Sequence, residues 1–350
     1  MFHALIDELG LTDEERRIAT DLHHNGYAVI DFPDPGIEER IERIKSRLAS
    51  RFDVDLGDPA AVKTAGDIRR VQDAWKFDKD VLAISANSRI IELLSKLYGR
   101  RAFPFQTLNF PVGTQQHLHS DAIHFSSIPE RFMCGVWLAM EDVHADAGPL
   151  TYLPGSNRWP ILDNVMIGQR GWGRKVESAQ SPFEAAWDAM VRTSGKQQEV
   201  FLARKGQALI WAANLLHGGS VQNDPTRTRW SQVTHYYFAD CAYFTPAFSD
   251  EPLGQLDLRT VTNIATGKVE PNMFNGEVLE RWAPREQEQK KGWGLWRAVR
   301  GSTQSYPVPT DFDPDTYLKL NPDVAASGQD ASQHYSIHGH REGRPYRSGR

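Results

Sequence analysis

The chain has 350 residues, of which 40% are hydrophobic and 24% charged, with a formal net charge of -5. That composition excludes a disordered or fibrous chain and allows one large domain with an appendage. The slight acidity excludes a broad positive field for a nucleic-acid backbone.

No apolar run approaches the roughly 20 residues needed to cross a bilayer, and the acidic start MFHALIDELGLTDEERR is unlike a signal peptide. A cytoplasmic location is the expectation. The two cysteines, Cys134 and Cys241, form no CxxC or Cys/His cluster, so they read as small buried side chains in a reducing compartment.

Thr12 followed by Asp13, Glu14 and Glu15 reads as a capped helix start, and Gly26 as its stop. YAVIDF, Tyr27 to Phe32, ends at Pro33 and reads as a strand. Amphipathic helices are expected over Gly36 to Phe52 and Val81 to Leu97, packing on a sheet. From Arg101 short strands take over: Phe103 to Pro111, Phe132 to Val143, Pro149 to Leu153, Gln207 to Ala212 and Arg229 to Phe238. With no helical crossovers between them, they predict a mainly β fold with flanking helices, an antiparallel double sheet of the jelly-roll kind. The stretch from Trp159 to Glu199 has little periodicity and reads as a long loop, a candidate lid. A polar run, EQEQKKG, and a linker at Pro307 to Pro309 precede a small separate unit. The expected domains are 1–306 and 310–350.

Chemistry concentrates in HLHSD. Residues two apart on a strand share a face, so His119 and Asp121 can offer an imidazole and a carboxylate to one ion. His217, at the end of ALIWAANLL and before two glycines, is the candidate third ligand. Two histidines and one carboxylate on one side of a metal is the set used by non-heme iron(II) oxygenases, and it leaves three positions open. An HxD pair alone is weak, since on the order of one is expected by chance. His144 and Asp146 form such a pair in a turn, where they read as solvent-facing. His117 is a rival to His119 without a carboxylate two residues on, and His124 reads as a neighbour of the ligands.

The alternating strand RWSQVTHYYF puts Arg229, Ser231, Val233 and His235 on one face. A guanidinium with a hydroxyl beside it can hold the far carboxylate of a dicarboxylate co-substrate. Arg227 has the same parity and is the runner-up.

From about Leu11 to Asp240, most densely in HLHSDAIHF, RFMCGVWLAMEDV, AGPLTYLPGSN and His217 to Tyr237, the chain resembles the phytanoyl-CoA dioxygenase family of iron and 2-oxoglutarate enzymes. The resemblance implies a double-stranded β-helix, cupin-like core. It implies His119, Asp121 and His217 as Fe(II) ligands and Arg229 with Ser231 on 2-oxoglutarate, with Trp137, Gln106 and Thr151 lining the same pocket. For Trp137 a plain core aromatic is the competing reading. The implied activity is hydroxylation of an unactivated C–H bond of a small-molecule substrate by O2, with release of succinate and carbon dioxide. Related halogenases carry a small residue where Asp121 stands, so its carboxylate favours hydroxylation.

The segment FDPDTYLKLNPDVAASGQDASQHYSIHGHREGRPYR resembles a short helical module appended to bacterial enzymes and surface-polysaccharide proteins. Its His334, His338 and His340 read as parts of a small packed module, and the arginines at 341, 344, 347 and 350 as a solvated tail. Two other classes compete with the oxygenase: a non-catalytic jelly-roll binding or assembly protein, glycan-associated through this module, and a jelly-roll isomerase or hydrolase using another divalent metal. The pairs Arg69 with Arg70 and Arg100 with Arg101 are too ordinary to claim a basic rim for an acyl-CoA, and no pattern speaks to oligomeric state.

Overall fold

The computed structural model describes residues 6–52, 58, 70–172, 178–279, 307–327, 330–340 and 344–347. The polar run at 286–292, Arg69, Arg341, Arg350 and the side chain of His338 lie outside the described residues. Two compact units emerge, 1–280 and 281–350.

The larger unit opens with helix α1 (Asp13–His24), whose N-terminus carries a reciprocal capping box between Thr12 and Glu15. Gly26, at φ +85°, lets the chain turn directly into strand β1 (Tyr27–Asp31). Helix α2 (Ile37–Leu48) buries Ile41, Ile44 and Leu48 on one face. Its Arg40, Arg43 and Arg47 grip the carboxylate of Asp80 at 2.8, 2.8 and 2.6 Å. After the short strand β2 (Val71–Gln72) come α3 (Lys79–Ser85) and α4 (Ser88–Tyr98). The single helix expected over Val81 to Leu97 is thus two, because the Asn87 side chain accepts from the Ile90 N–H and caps a new start.

The strands that follow are β3 (Ala102–Phe110), β4 (Ser126–Ile128), β5 (Met133–Ala139) and β6 (Leu150–Tyr152). The stretch read as one long loop holds helix α5 (Ser181–Ser194), with Phe183 and Trp187 buried. Beyond it lie β7 (Glu199–Phe201), β8 (Gln207–Ala212), β9 (His217–Gly219), β10 (Ser231–Phe238) and β11 (Ala242–Phe244).

A six-stranded antiparallel sheet runs β1-β8-β5-β10-β3-β2, and a three-stranded sheet runs β7-β6-β9. The period-2 rule explains why the major-sheet strands are apolar on both faces. On β8, Ala208 and Ile210 join Ile18, Ile41, Ile90 and Leu94 of the helices. Leu209 and Trp211 point the other way and pack with Leu150, Tyr152 and Phe201 of the minor sheet. This is a mainly β, jelly-roll architecture, with the second core between its sheets.

The smaller unit contains helices α6 (Pro314–Leu320), α7 (Pro322–Ser327) and α8 (Ala331–His334) around Tyr317, Val324, Ala331 and Tyr335. The Tyr317 hydroxyl lies 3.0 Å from His334 Nδ1. Among the described residues no helix is long and apolar enough to cross a membrane.

Candidate metal centre

His119 and His217 meet because the minor sheet continues by one rung. They form an isolated antiparallel bridge in which each backbone N–H donates to the other's carbonyl, at 2.9 and 3.0 Å. Directly opposed residues of an antiparallel pair project to the same side, so the two rings are neighbours, with centroids 4.6 Å apart. Gly218 is required by the same close approach, since a Cβ there would lie 2.6 Å from the carbonyl oxygen of Gln116. Asp121 follows two residues after His119, at the head of a short 3-10 turn capped by Ser120.

The candidate ligand atoms of His119, Asp121 and His217 lie within 4.8 Å of one another, and all three residues are buried. His119 Nε2 is 3.9 Å from one Asp121 oxygen and His217 Nε2 is 3.6 Å from the other. Nδ1 of His119 is 2.9 Å from the His117 carbonyl, and Nδ1 of His217 is 3.0 Å from that of Leu215. A carbonyl can only accept, so both Nδ1 atoms carry a proton, and Nε2 of each ring is the atom turned toward the carboxylate and free to serve as a ligand. Burial, helped by the neighbouring His217, pushes the His119 imidazole down to about 4 and keeps it neutral. Burial works against ionisation of Asp121, yet the surrounding His217, His235 and His119 hold its carboxyl well below the usual range. Two imidazole nitrogens and one carboxylate, converging in a buried recess, are a donor set fitted to a divalent first-row metal.

The recess opens into a cavity of about 210 Å³ lined in part by Gln106, Phe110, Trp137, Leu150, Arg229 and Val233. Arg229 is 3% exposed and its guanidinium lies over the Trp137 ring, 5.5 Å from the centroid. Burial lowers its pKa to about 10, an effect offset in part by Glu141, so it remains a cation at neutral pH. Its Nε and the hydroxyl of Ser231 are buried without a hydrogen-bond partner. Leaving such atoms unpaired costs stability, and an anionic ligand would satisfy them. Arg229 is among the cavity's lining residues and Ser231 is not, so it is the orphaned Arg229 Nε that makes the cavity a fit for a carboxylate group beside the candidate ligands.

Other residues singled out by the sequence lie elsewhere. Thr151 points away from the cavity face that Leu150 lines, and its hydroxyl donates to the Glu199 carbonyl at 2.9 Å. Arg227 is on the surface, paired with Asp224 at 3.0 Å. His144 and Asp146 are about half exposed. His117 is exposed and contributes its carbonyl rather than its ring. His124 lines the cavity without belonging to the ligand cluster.

Two contributors were not assigned a role from sequence. His235 Nε2 lies 3.6 Å from Asp121, and the Trp211 indole donates to the same carboxylate oxygen at 2.9 Å. Parity with Arg229 already put His235 on the right face. Trp211 had no local signal, because its reach depends on Gly135 across the sheet.

A family model described as phytanoyl-CoA dioxygenase (PhyH) matches residues 22–229. The peroxisomal phytanoyl-CoA dioxygenase of Homo sapiens is 25% identical over 260 residues, covering 69% of this chain and 73% of that protein. Among solved structures, the epimerase SnoN in complex with Fe3+, alpha ketoglutarate and nogalamycin RO is similar at a TM-score of 0.50 and 19% identity, covering 77% of this chain and 96% of that one. The non-heme alpha ketoglutarate dependent carbocyclase SnoK, from nogalamycin biosynthesis, is similar at 0.50 and 14%, covering 78% and 94%. These two likenesses speak to the fold, whereas the family model spans well over half of the chain, from α1 to the buried arginine: the chain belongs to the phytanoyl-CoA dioxygenase family.

Proposed function

We propose that the protein is an Fe(II)- and 2-oxoglutarate-dependent dioxygenase that hydroxylates an unactivated C–H bond of a small organic substrate. One observation carries the reading: the three buried ligand residues share a cavity with a buried arginine whose Nε has no partner. Bound there, iron with 2-oxoglutarate and O2 supplies the oxidising power, and 2-oxoglutarate leaves as succinate and carbon dioxide.

The chain's own residues bind, orient and exclude water. His119, Asp121 and His217 are the proposed ligands, their rings held by backbone carbonyls. Arg229 and Ser231 would engage the far carboxylate of 2-oxoglutarate, with Trp137 beneath the guanidinium and Gln106 at the cavity wall. Leu108, Phe110, Leu150 and Val233 keep the wall apolar, which limits water at the reacting centre. Asp121 would supply a carboxylate ligand where the related halogenases carry a small residue, and this supports hydroxylation over halogenation. The unit over 310–350 is proposed as an accessory module of the surface-polysaccharide-associated kind, distinct from an oxygenase domain over 1–306.

The test is anaerobic addition of Fe(II) and then 2-oxoglutarate. A weak visible charge-transfer band is expected in the wild type and is lost in Asp121→Ala, together with substrate-stimulated succinate formation. Full turnover by Asp121→Ala would overturn the ligand assignment. Hydroxylation itself is read from the product, which must carry one oxygen atom from labelled O2; turnover without that atom points to desaturation, cyclisation or epimerisation.

A further inference from the structure

The cavity mouth carries a second cation. Gln72 on the edge strand β2 pairs with Leu108 of β3, and both line the cavity. Arg70, immediately before β2, lines it too. Both are exposed at the rim, in contrast to the deeply buried Arg229. Among the described residues the Arg70 guanidinium makes no ion pair, whereas Arg40, Arg43, Arg47 and Arg101 all do.

Charge accounting then points to a ligand. The lining residues include one carboxylate, Asp121, and two guanidinium groups, Arg70 and Arg229. Under the oxygenase reading, on which this inference rests, a divalent ion and Arg229 are balanced by Asp121 and the dianionic co-substrate. Arg70 is left as the uncompensated charge, exposed at the cavity rim. An unpaired guanidinium beside an amide at a concave rim suits a carboxylate, which it can take bidentately.

We infer that Arg70 and Gln72 form the substrate-recognising rim of the cavity and select a small substrate bearing a single carboxylate. Apolar Leu108 and Phe110, just inside the rim, would contact the carbon skeleton behind that carboxylate. The several phosphate charges of a coenzyme A ester call for more cations than the described lining supplies.

The experiment titrates short straight-chain and cyclic carboxylic acids, each against its own primary amide. It uses the anaerobic protein loaded with Fe(II) and saturating 2-oxoglutarate, and reads binding by calorimetry and by change in the charge-transfer band. At least one acid is expected to bind about tenfold or more tightly than its amide in the wild type. That preference should vanish in Arg70→Ala and be partly retained in Arg70→Lys. Acids and amides binding alike, neither binding while the band forms normally, or a preference that survives Arg70→Ala would each overturn the inference. Absence of the band in the wild type would instead overturn the oxygenase reading, so the two failures are distinct.

Discussion

The indole N–H of Trp211 donates to Asp121 Oδ2 at 2.9 Å, linking the major sheet to the carboxylate that the minor-sheet side of the recess presents to the metal site. Both side chains are buried. A carboxylate held by a fixed donor presents its other oxygen in one direction, and partners of this kind commonly contribute tenfold or more to metal affinity. Trp211→Phe keeps the aromatic bulk and removes the donor. Fe(II) or Mn(II) affinity should fall by about tenfold to a hundredfold with the far-ultraviolet circular dichroism unchanged. An unchanged metal isotherm would show that the indole serves packing alone.

That hydrogen bond depends on a residue with no side chain. Gly135 on β5 is paired with both Trp211 and His235, and a Cβ at Gly135 would lie 2.1 Å from the Trp211 ring. Gly135→Ala must therefore displace the indole in a packed core. It is expected to cost about 1–3 kcal/mol in chemical denaturation and to weaken metal binding as Trp211→Phe does. Loss of stability with metal affinity intact would separate the two effects and contradict the coupling.

Different parts of this site differ in how legible they are in the sequence, for reasons visible in particular residues. The strand at Gln207 to Ala212 was read residue for residue, because its apolar run ends at a turn. The strand parity expected to pair His119 with Asp121 is not the observed geometry, since His119 sits in an isolated bridge and Asp121 opens a 3-10 turn, and His217 converges on them through a bridge between segments almost a hundred residues apart, which no local pattern encodes. The break at Asn87 was missed since hydrophobic periodicity continues across it while the cap interrupts the backbone. Helix α5 was missed because the Gly- and Ser-rich flanks diluted its short apolar stripe of Phe183 and Trp187. Thr151 sits one residue from Leu150, and a single step along a strand reverses the face.

Arg229 and Arg227 share parity but not environment, and this separates their expected roles. Arg229 is buried in the cavity, while Arg227 is paired with Asp224 at the surface. Truncating a buried partner of an anion typically costs about 2–5 kcal/mol, so Arg229→Ala should raise the KM for 2-oxoglutarate by about thirtyfold or more. Metal affinity in the absence of 2-oxoglutarate should stay unchanged. Arg227→Ala should leave both quantities unaltered. A KM that responds to Arg227 and not to Arg229 would reverse the assignment.

The helical layer behind the major sheet predicts an acid-sensitive limb of stability. Asp80 is 1% exposed and is held by Arg43, Arg47 and Arg40, in that order of influence, which keeps its carboxyl well below the ordinary range. A carboxyl depressed in the folded state contributes its full stabilisation above the unfolded value of about 4 and loses it as pH falls toward the folded value. The arginines keep partial access to water, so the network is worth less than a fully buried one. Asp80→Asn should cost about 2 kcal/mol at neutral pH. Urea midpoints measured from about pH 7 to about pH 2 should show the two proteins separated by a near-constant margin down to about pH 4 and drawing together only below it. Parallel curves would mean that the Asp80 carboxylate is not the group whose protonation loosens α2 from α3.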